Sequence, residues 1–284
     1  DTALRPLLSA GIAPHLVVAV DPGDANARHL TDLPDTRGAY LVAEGSVSPR
    51  AFETFLDRVF TFKVSDHHPW PWLRTLGIER QVLRAWGSVA ATSLDLAVRA
   101  GCDPIVFVGQ DLAFTGHQPY CRNTTYETDW AEAAGRGTSL RDSWAAWRAG
   151  RGGVAMRDVS GAIVETSPSL VAVRDWLLAL CAQYPGRRFV NAGGAGILAG
   201  AGIELALLTA ALPSTGRPIA FEERLERAHG TSARAVATVR TAALELADAL
   251  ERQAQPTLSM TWREFTAGTV TEDEIRAMLK QATK

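Results

Sequence analysis

The chain has 284 residues, a formal net charge of −2 and 46% hydrophobic residues. It is long enough to bury a sizeable core and to form one large α/β domain with an appendage. Because basic and acidic residues nearly balance and no long Lys or Arg run occurs, nothing indicates a nucleic acid or an anionic membrane as partner.

Three cysteines are scattered without the spacing of a metal site, which fits reduced thiols in a cytoplasmic protein. The most apolar run, Gly196–Pro213, is rich in glycine and contains Glu204, so it predicts a buried helix rather than a membrane span. The sequence opens on Asp1 within a helical pattern. We therefore expect the natural N-terminus, with any motifs it carries, to lie upstream of this chain.

Short apolar runs between segments of helical periodicity predict strands of a mostly parallel sheet covered by helices, a Rossmann-like α/β fold. The predicted strands are Leu16–Val20, Ala39–Val42, Val59–Val64, Ile105–Val108 and Arg188–Val190. Ser88–Ala100 reads as a helix that Gly101 ends, and Val154–Asp158 with Ala162–Val164 reads as a hairpin.

The pattern changes after residue 212. Residues 1–212 are predicted to form the Rossmann-like domain, and residues 213–284 a helical C-terminal extension. Its long helix is predicted at Phe221–Arg252, with shorter helices near Trp262 and at Thr271–Gln281. The apolar face of this extension is expected to pack on its own domain or on a second copy of the chain, as in a homo-oligomer.

Polar side chains follow three of the predicted strands. Asp21 ends the first, Gln110 and Asp111 follow the Ile105–Val108 strand after Gly109, and Asn191 ends a third. Ligands of open parallel sheets bind beyond the carboxyl ends of the strands, so the sequence predicts a sugar or nucleotide site there. Alternatively, Asp111 only caps the next turn and Asp21 only opens a turn before Pro22.

Glycine-containing segments mark two further places in the sequence. Gly87 and Ser88 begin a helix whose free N–H groups suit phosphate, although Ser88 is also an ordinary N-cap. The stretch "NAGGAGILAGAG" matches a relaxed dinucleotide fingerprint, but no acid-ended strand follows about 20 residues later. We therefore interpret these glycines as a loop that allows close packing. No Walker-type phosphate loop is present.

Two loops carry candidate side chains. "SDHHPWPWL" has two histidines without a further ligand cluster, so no metal site is predicted, and its tryptophans either stack on a sugar or pack in the core. "FTGHQPYCRNTTYETDW" follows the Gln-Asp strand end without an apolar period. It is expected to be a mobile cover in which His117 is a general base and Arg122 a phosphate clamp, or else an ordinary surface loop.

Three segments carry a resemblance to a known family: "DTALRPLLSAGIAPHLVVAVDP", "GSVAATSLDLAVRAGCDPIVFVGQDLAFTG" and "NAGGAGILAGAG". Over about residues 1–210 the chain resembles the motility-associated factor family, bacterial proteins implicated in glycosylating flagellin with nonulosonic, sialic-acid-like sugars. The same superfamily includes proteins similar to archaeal 6-hydroxymethylpterin diphosphokinase. More distantly, the chain is similar to family-42 sialyltransferases, which use a CMP-sugar without a metal.

The resemblance implies site residues, and it also implies a strand and a glycine-rich loop upstream of Asp1, without which the donor pocket is expected to be incomplete. Gly87-Ser88 and Gly109-Gln110-Asp111 look like the nucleotide-binding segments of the sialyltransferases, and Asp21 aligns with their donor-binding asparagine. This chain has Ala113 where those enzymes have a phosphate-binding tyrosine, and His117 is the counterpart of their catalytic histidine. The expected function is transfer of a nonulosonic acid from a CMP donor to flagellin Ser/Thr hydroxyls, with His117 or Asp111 as the base that takes the acceptor proton and with no cofactor.

Two alternatives stay open. One is ATP-dependent diphosphate transfer to a pterin, which needs Mg²⁺ and a carboxylate pair such as Asp21 and Asp111. The other is a flagellin-binding or assembly factor without catalysis, which the Ala113 departure favours.

Overall fold

The structure, a computed structural model, describes residues 1–33, 35–55, 58–67, 70–75, 77–212 and 221–230. These residues fall into two compact units. Among the described residues, the first unit lies within 1–66 and 80–225, and the second within 67–79 and 226–230. Within the second unit, helix α4 (Trp70–Thr75) begins at the buried Trp70, and Arg74 forms an ion pair of 3.0 Å with Glu79.

The first half-sheet consists of three parallel strands in the order β1-β2-β3. The strands are β1 (Leu16–Ala19), β2 (Tyr40–Glu44) and β3 (Val59–Phe62). Leu16 lies opposite Tyr40, and Glu44 lies opposite Phe62. All residues of β2 are buried, as expected for a parallel strand that helices cover on both faces.

The second half-sheet also has three parallel strands, in the order β4-β7-β8. They are β4 (Ile105–Phe107), β7 (Phe189–Asn191) and β8 (Glu204–Leu205). A separate antiparallel hairpin joins β5 (Val154–Arg157) to β6 (Ile163–Thr166). The predicted strands, the hairpin and the α/β class are confirmed. The parallel strands, however, form two half-sheets and not one continuous sheet.

Helix α5 (Val89–Arg99) contacts both β1 and β4. Its Leu96 packs with Val18 of β1, while its Leu94 packs with Ile105 of β4. Helix α8 (Pro168–Ala182) covers the second half-sheet beside α5. On the other face of the first half-sheet lie α1 (Leu4–Ser9) and α3 (Pro49–Phe55). The helix predicted at Ser88–Ala100 is therefore confirmed and sits at the centre of the fold.

Between β4 and the hairpin the chain forms a helical insertion. It contains a 3-10 helix (Thr115–His117), α6 (Thr125–Gly135) and α7 (Leu140–Ala149). Short helices α2 (Asp24–Ala27) and α9 (Leu208–Ala211) complete the first unit, and α10 (Phe221–Gly230) ends the described part.

The apolar run after Gly196 does not form the predicted buried helix. It is mostly loop, with β8 and the four-residue α9 as its regular elements. The prediction was wrong because glycines in this run pack closely on other parts of the chain. A Cβ at Gly196 would lie 2.1 Å from the Asp111 carbonyl oxygen, and one at Gly200 would lie 2.8 Å from the Leu178 side chain. Of the helical extension, only Phe221–Gly230 belongs to the described residues, and the rest of that prediction lies outside them. No described helix is long and apolar enough to cross a membrane.

Candidate functional site

The carboxyl edge of the first half-sheet carries Asp21, which is exposed just after β1. Its Oδ1 accepts the Gly23 N–H at 2.8 Å and so forms the tight turn that leads into α2. Its other carboxylate oxygen makes no hydrogen bond among the described residues. Asp21 therefore has the local turn role and also keeps one oxygen available to a ligand.

The start of α5 is an N-capped helix terminus. Ser88 Oγ accepts the Ala90 N–H at 3.2 Å, and the Ser88 carbonyl accepts the Ala91 N–H at 3.0 Å. Gly87 has φ +68°, and a Cβ there would lie 2.7 Å from the Trp176 ring. Gly87 is thus required by packing as well as by backbone conformation, and Ser88 serves as the N-cap that the sequence predicts.

Gly109, Gln110 and Asp111 follow β4, where the chain leaves the sheet through left-handed backbone. Gly109 has φ 70° and Leu112 has φ 52°, a value that residues with a Cβ rarely adopt. The Leu112 carbonyl accepts the buried Thr166 hydroxyl at 2.6 Å. Contacts from β6 therefore hold the turn in a conformation that its own sequence does not favour.

Asp111 and Gln110 differ in their hydrogen bonds. Asp111 Oδ2 accepts the Thr115 hydroxyl at 2.8 Å, and its Oδ1 faces the backbone of Gly193. The half-buried Gln110 amide makes no hydrogen bond within the described part of the chain. Gln110 is therefore the side chain at this edge with its full hydrogen-bonding capacity unused.

The loop after β7 packs directly on the Asp111 backbone. The Ile197 N–H donates to the Asp111 carbonyl at 2.7 Å. Gly196 has φ +85°, and a Cβ there would lie 2.1 Å from that same carbonyl oxygen. The interpretation of these glycines as a close-packing loop is confirmed by this contact.

Asn191 does not offer its amide to the edge. It is 1% exposed, its Nδ2 donates to the Leu198 carbonyl at 2.9 Å, and its Oδ1 accepts the Gly193 N–H at 2.8 Å. All the polar atoms of its side chain are thus engaged in shaping the loop. The structure therefore places Asn191 beneath the candidate site as a scaffold, not on its surface.

His117 ends the 3-10 helix with φ 63° and is exposed. Its Nδ1 lies 2.9 Å from Arg148 Nη1, which also donates to Glu165 Oε2 at 2.8 Å. Because a guanidinium can only donate, Nδ1 must accept, and the neutral ring then carries its proton on Nε2. In this arrangement His117 presents an N–H donor to solvent and is poorly placed to act as a base.

The segment that the sequence predicts as a mobile cover without an apolar period contains buried residues among exposed ones. Phe114 is 2% and Thr124 is 3% exposed, and the rings of Tyr120 and Tyr126 stack at 4.3 Å. Burial, and after it the neighbouring Tyr126, raise the pKa of Tyr120 above its usual range. Arg122 is exposed and makes no hydrogen bond or ion pair within the described residues.

The insertion also reaches the first half-sheet. Asn123 Nδ2 donates to Ser9 Oγ at 2.7 Å, and Thr125 Oγ1 lies 2.8 Å from Nδ1 of the buried His29. Burial and, secondarily, positive charges including Arg28 lower the pKa of His29 to about 4. The insertion thus connects the loop after β4 with the chain after β1.

Sequence reasoning missed Arg148 and Glu165, which hold His117, and Thr166, which holds Leu112. The signal for Arg148 was present, because Trp144, Trp147 and Arg148 recur on one face of α7 at helical spacing. The residue pattern along β6 does not distinguish Glu165 or Thr166 as residues that hold the loop after β4. The other aromatic loop contributes the buried Trp70 to α4. Among the described residues, no group of three or more His, Cys, Asp or Glu side chains is arranged to hold a metal ion.

Comparisons with known proteins agree with this architecture. Residues 1–117 match the family model described as 6-hydroxymethylpterin diphosphokinase MptE-like, which confirms the resemblance over this part of the chain. The solved structure of the MAf glycosyltransferase from Magnetospirillum magneticum AMB-1 is similar, with a TM-score of 0.54 and 20% sequence identity over 84% of this chain. The match covers 32% of that enzyme, so the chain spans about a third of its length. A comparison with curated protein sequences finds no match.

Proposed function

We propose that this chain is the donor-binding part of a cytoplasmic glycosyltransferase that transfers a nonulosonic acid from a CMP donor to Ser/Thr hydroxyls of flagellin. The observation that carries the proposal is the set of polar groups after β1, before α5 and after β4. There Asp21 keeps one carboxylate oxygen unbonded, the Gln110 amide is unbonded, and α5 presents a capped N-terminus. Similarity to a MAf glycosyltransferase in fold supports the reaction class.

The donor phosphate would lie at the start of α5, where backbone N–H groups and the positive end of the helix dipole attract an anion. Asp21 and Gln110 would orient the nucleotide and sugar hydroxyls. Arg122, which has no partner among the described residues, would meet the phosphate from the insertion.

Asp111 is the better of the two base candidates. Its carboxylate can take the proton of the acceptor hydroxyl while that oxygen attacks the anomeric carbon. The bond from that carbon to the phosphate oxygen breaks, and CMP leaves with the electron pair. His117, whose Nδ1 already accepts from Arg148, would instead donate its Nε2 proton to the leaving phosphate in a hydrogen bond.

Binding of CMP tests this site. We expect Asp111→Asn and Ser88→Ala each to weaken CMP binding about tenfold, as measured by calorimetry. The control is Asp175→Asn, which removes the same charge from the surface of α8, where Asp175 pairs with Arg174. Equal affinity in all three variants, with folding intact, would remove this edge from consideration.

A second candidate is ATP-dependent diphosphate transfer to a pterin, which is favoured by the family description matched at residues 1–117. It would need Mg²⁺ between carboxylates such as Asp21 and Asp111. Hydrolysis of a CMP-sugar that survives EDTA would support glycosyl transfer. ATP turnover that EDTA abolishes and Mg²⁺ restores would support the second candidate, and a chain that binds flagellin with neither activity would be an assembly factor.

A further inference from the structure

Glu44 is a buried carboxylate without a compensating positive charge. It is the last residue of β2 and is 6% exposed. The other carboxylate of the described chain that is more than nine-tenths buried is Asp95 of α5, which lies 3.0 Å from Arg99 Nε and 3.9 Å from Arg84 Nε. Glu44 makes no ion pair within the described residues. Because burial of an uncompensated carboxylate is unfavourable, the position of Glu44 is better explained by a ligand than by stability.

The two carboxylate oxygens of Glu44 differ in their hydrogen bonds. Oε2 accepts the Ser46 N–H at 2.7 Å and also the Ser46 hydroxyl. Oε1 accepts no hydrogen bond from any described residue, and Glu44 is not among the residues that have a fully buried polar atom without a partner. Oε1 therefore keeps some access to solvent and can accept a hydrogen bond from a ligand.

The surroundings of Glu44 are apolar. Glu44 lies opposite Phe62, so both side chains point to the same face of the half-sheet. On this face Phe62 packs in one cluster with the half-buried Val20 and Val89. Val20 directly precedes Asp21, and Val89 is the first residue of α5. Glu44 is therefore on the same side of the sheet as the start of α5, among apolar side chains that suit a flat ring with an N–H donor at its edge.

We propose that Glu44 recognises the base of the nucleotide and selects cytosine, an inference that rests on the proposed CMP donor. Cytosine carries at C4 an amino group, which donates hydrogen bonds, whereas uracil carries there a carbonyl oxygen, which only accepts them. Glu44 Oε1 accepts from the amino group of cytosine and repels the oxygen of uracil. Glu44 is thus a specificity-determining residue, while Asp21 and Gln110 orient hydroxyl groups of the donor.

The bond to Ser46 fixes what a glutamine would present at this position. The Ser46 N–H needs an acceptor, so in Glu44→Gln the amide oxygen takes the place of Oε2. The amide NH2 group then takes the place of Oε1 and donates instead of accepting. The variant should therefore prefer UMP to CMP, although the side chain keeps its size and shape.

Calorimetric titration of the 284-residue chain with CMP and with UMP tests this role of Glu44. We expect the wild-type chain to bind CMP at least about tenfold more tightly than UMP, and Glu44→Gln to reverse the preference. The control is Glu53→Gln, the same substitution at an exposed residue of α3, which should keep the preference for CMP. Thermal unfolding shows whether both variants are folded.

A measurement on the wild-type chain does not depend on the folding of a variant. The ribonucleotide of 2-pyrimidinone has no group at C4, so it should bind more weakly than CMP and more tightly than UMP. Equal affinity for the three nucleotides, or an unchanged ratio of CMP to UMP affinity in folded Glu44→Gln, would overturn the role of Glu44 and leave the nucleotide site intact. A wild-type chain that binds none of the three would overturn the nucleotide site and the base selectivity together.

Discussion

The two half-sheets differ in the hydrogen bonds that hold the chain at the carboxyl ends of their strands. In the first, the ends of β1 and β2 are each tied to a residue two positions further on, as Asp21 is to Gly23 and Glu44 to Ser46. In the second, Asn191 makes the same local bond to Gly193 after β7, but the end of β4 is held by distant parts of the chain, through the bonds from Ile197 to the Asp111 carbonyl and from Thr166 to the Leu112 carbonyl.

The difference lies in where strain is held. In the first half-sheet the non-glycine residues of positive φ, Asp32 at 53° and Arg37 at 51°, lie before β2, and the turns directly after β1 and β2 have none. The chain after β4, by contrast, holds Leu112 at φ 52° and His117 at φ 63° at the carboxyl edge itself. Each such residue costs about 1–3 kcal/mol and persists only where neighbours fix it. The carboxyl end of β4 therefore depends more on contacts with distant residues. Substitutions there should lower the free energy of unfolding more than equivalent substitutions in the first half-sheet.

The largest effect is expected for Gly196→Ala. Its Cβ would lie 2.1 Å from the Asp111 carbonyl oxygen at a φ of +85°, so the loop must move off the β4 edge. We expect a loss of at least about 3 kcal/mol in urea unfolding and loss of nucleotide binding. Gly194→Ala is the matched control, because its Cβ meets nothing within 4 Å. Equal stability of the two variants would contradict the close approach.

Asn191→Ala comes next. It leaves the buried Leu198 carbonyl and Gly193 N–H without their partners and should cost about 2–3 kcal/mol. Asp21→Asn, the counterpart at the first half-sheet, keeps an oxygen for Gly23 and should cost less than about 0.5 kcal/mol. Chemical denaturation of both variants measures their free energies of unfolding. Similar losses in Asn191→Ala and Asp21→Asn would contradict the difference between the two half-sheets.

Acid should weaken the link between the insertion and the first half-sheet. The pKa of His29 is about 4 in the folded chain and near 6.5 when unfolded, so the unfolded state takes up the proton first. Stability is thus fully present above about pH 6.5 and falls as the pH drops towards 4, by about 2 kcal/mol between about pH 7 and 4.5. Urea midpoints across this range should fall less in His29→Gln. Parallel pH profiles of the two proteins would exclude this role of His29.

At the start of α5 the expected loss is smaller than for Gly196, Asn191 or His29. Ser88→Ala removes the bond to the Ala90 N–H and should destabilise the chain by about 1 kcal/mol. Ser88→Asp retains a cap and should restore stability, but its negative charge should still repel a phosphate. Thermal unfolding and CMP titration of the pair therefore separate the cap from the anion site. Normal CMP affinity in Ser88→Asp would place the phosphate elsewhere.

Sequence patterns alone predicted the strands, the α5 helix with its Ser88 cap, and the hairpin. These elements follow from hydrophobic period, capping side chains and turn residues, which act over a few positions. The same local physics gave the turn at Asp21 as an alternative to a ligand site, and it predicted that Gly194 and Gly196 lie in a loop. It failed for the run after Gly196, because an apolar composition does not show whether the chain is buried, and Leu205, Leu207 and Leu208 of this run are exposed.

Tertiary structure decided which predicted residues face a ligand. Asn191 is identical in type to a ligand-binding amide, and only its contacts with Gly193 and Leu198 show that both ends of the amide are already used. Arg148 approaches His117 from 31 positions along the chain and changes the ring nitrogen that can accept a proton. Such partners are set by packing of distant segments, whereas helix, strand and turn preferences are set by neighbours in sequence, so the sequence determined the elements and the fold determined the chemistry of their ends.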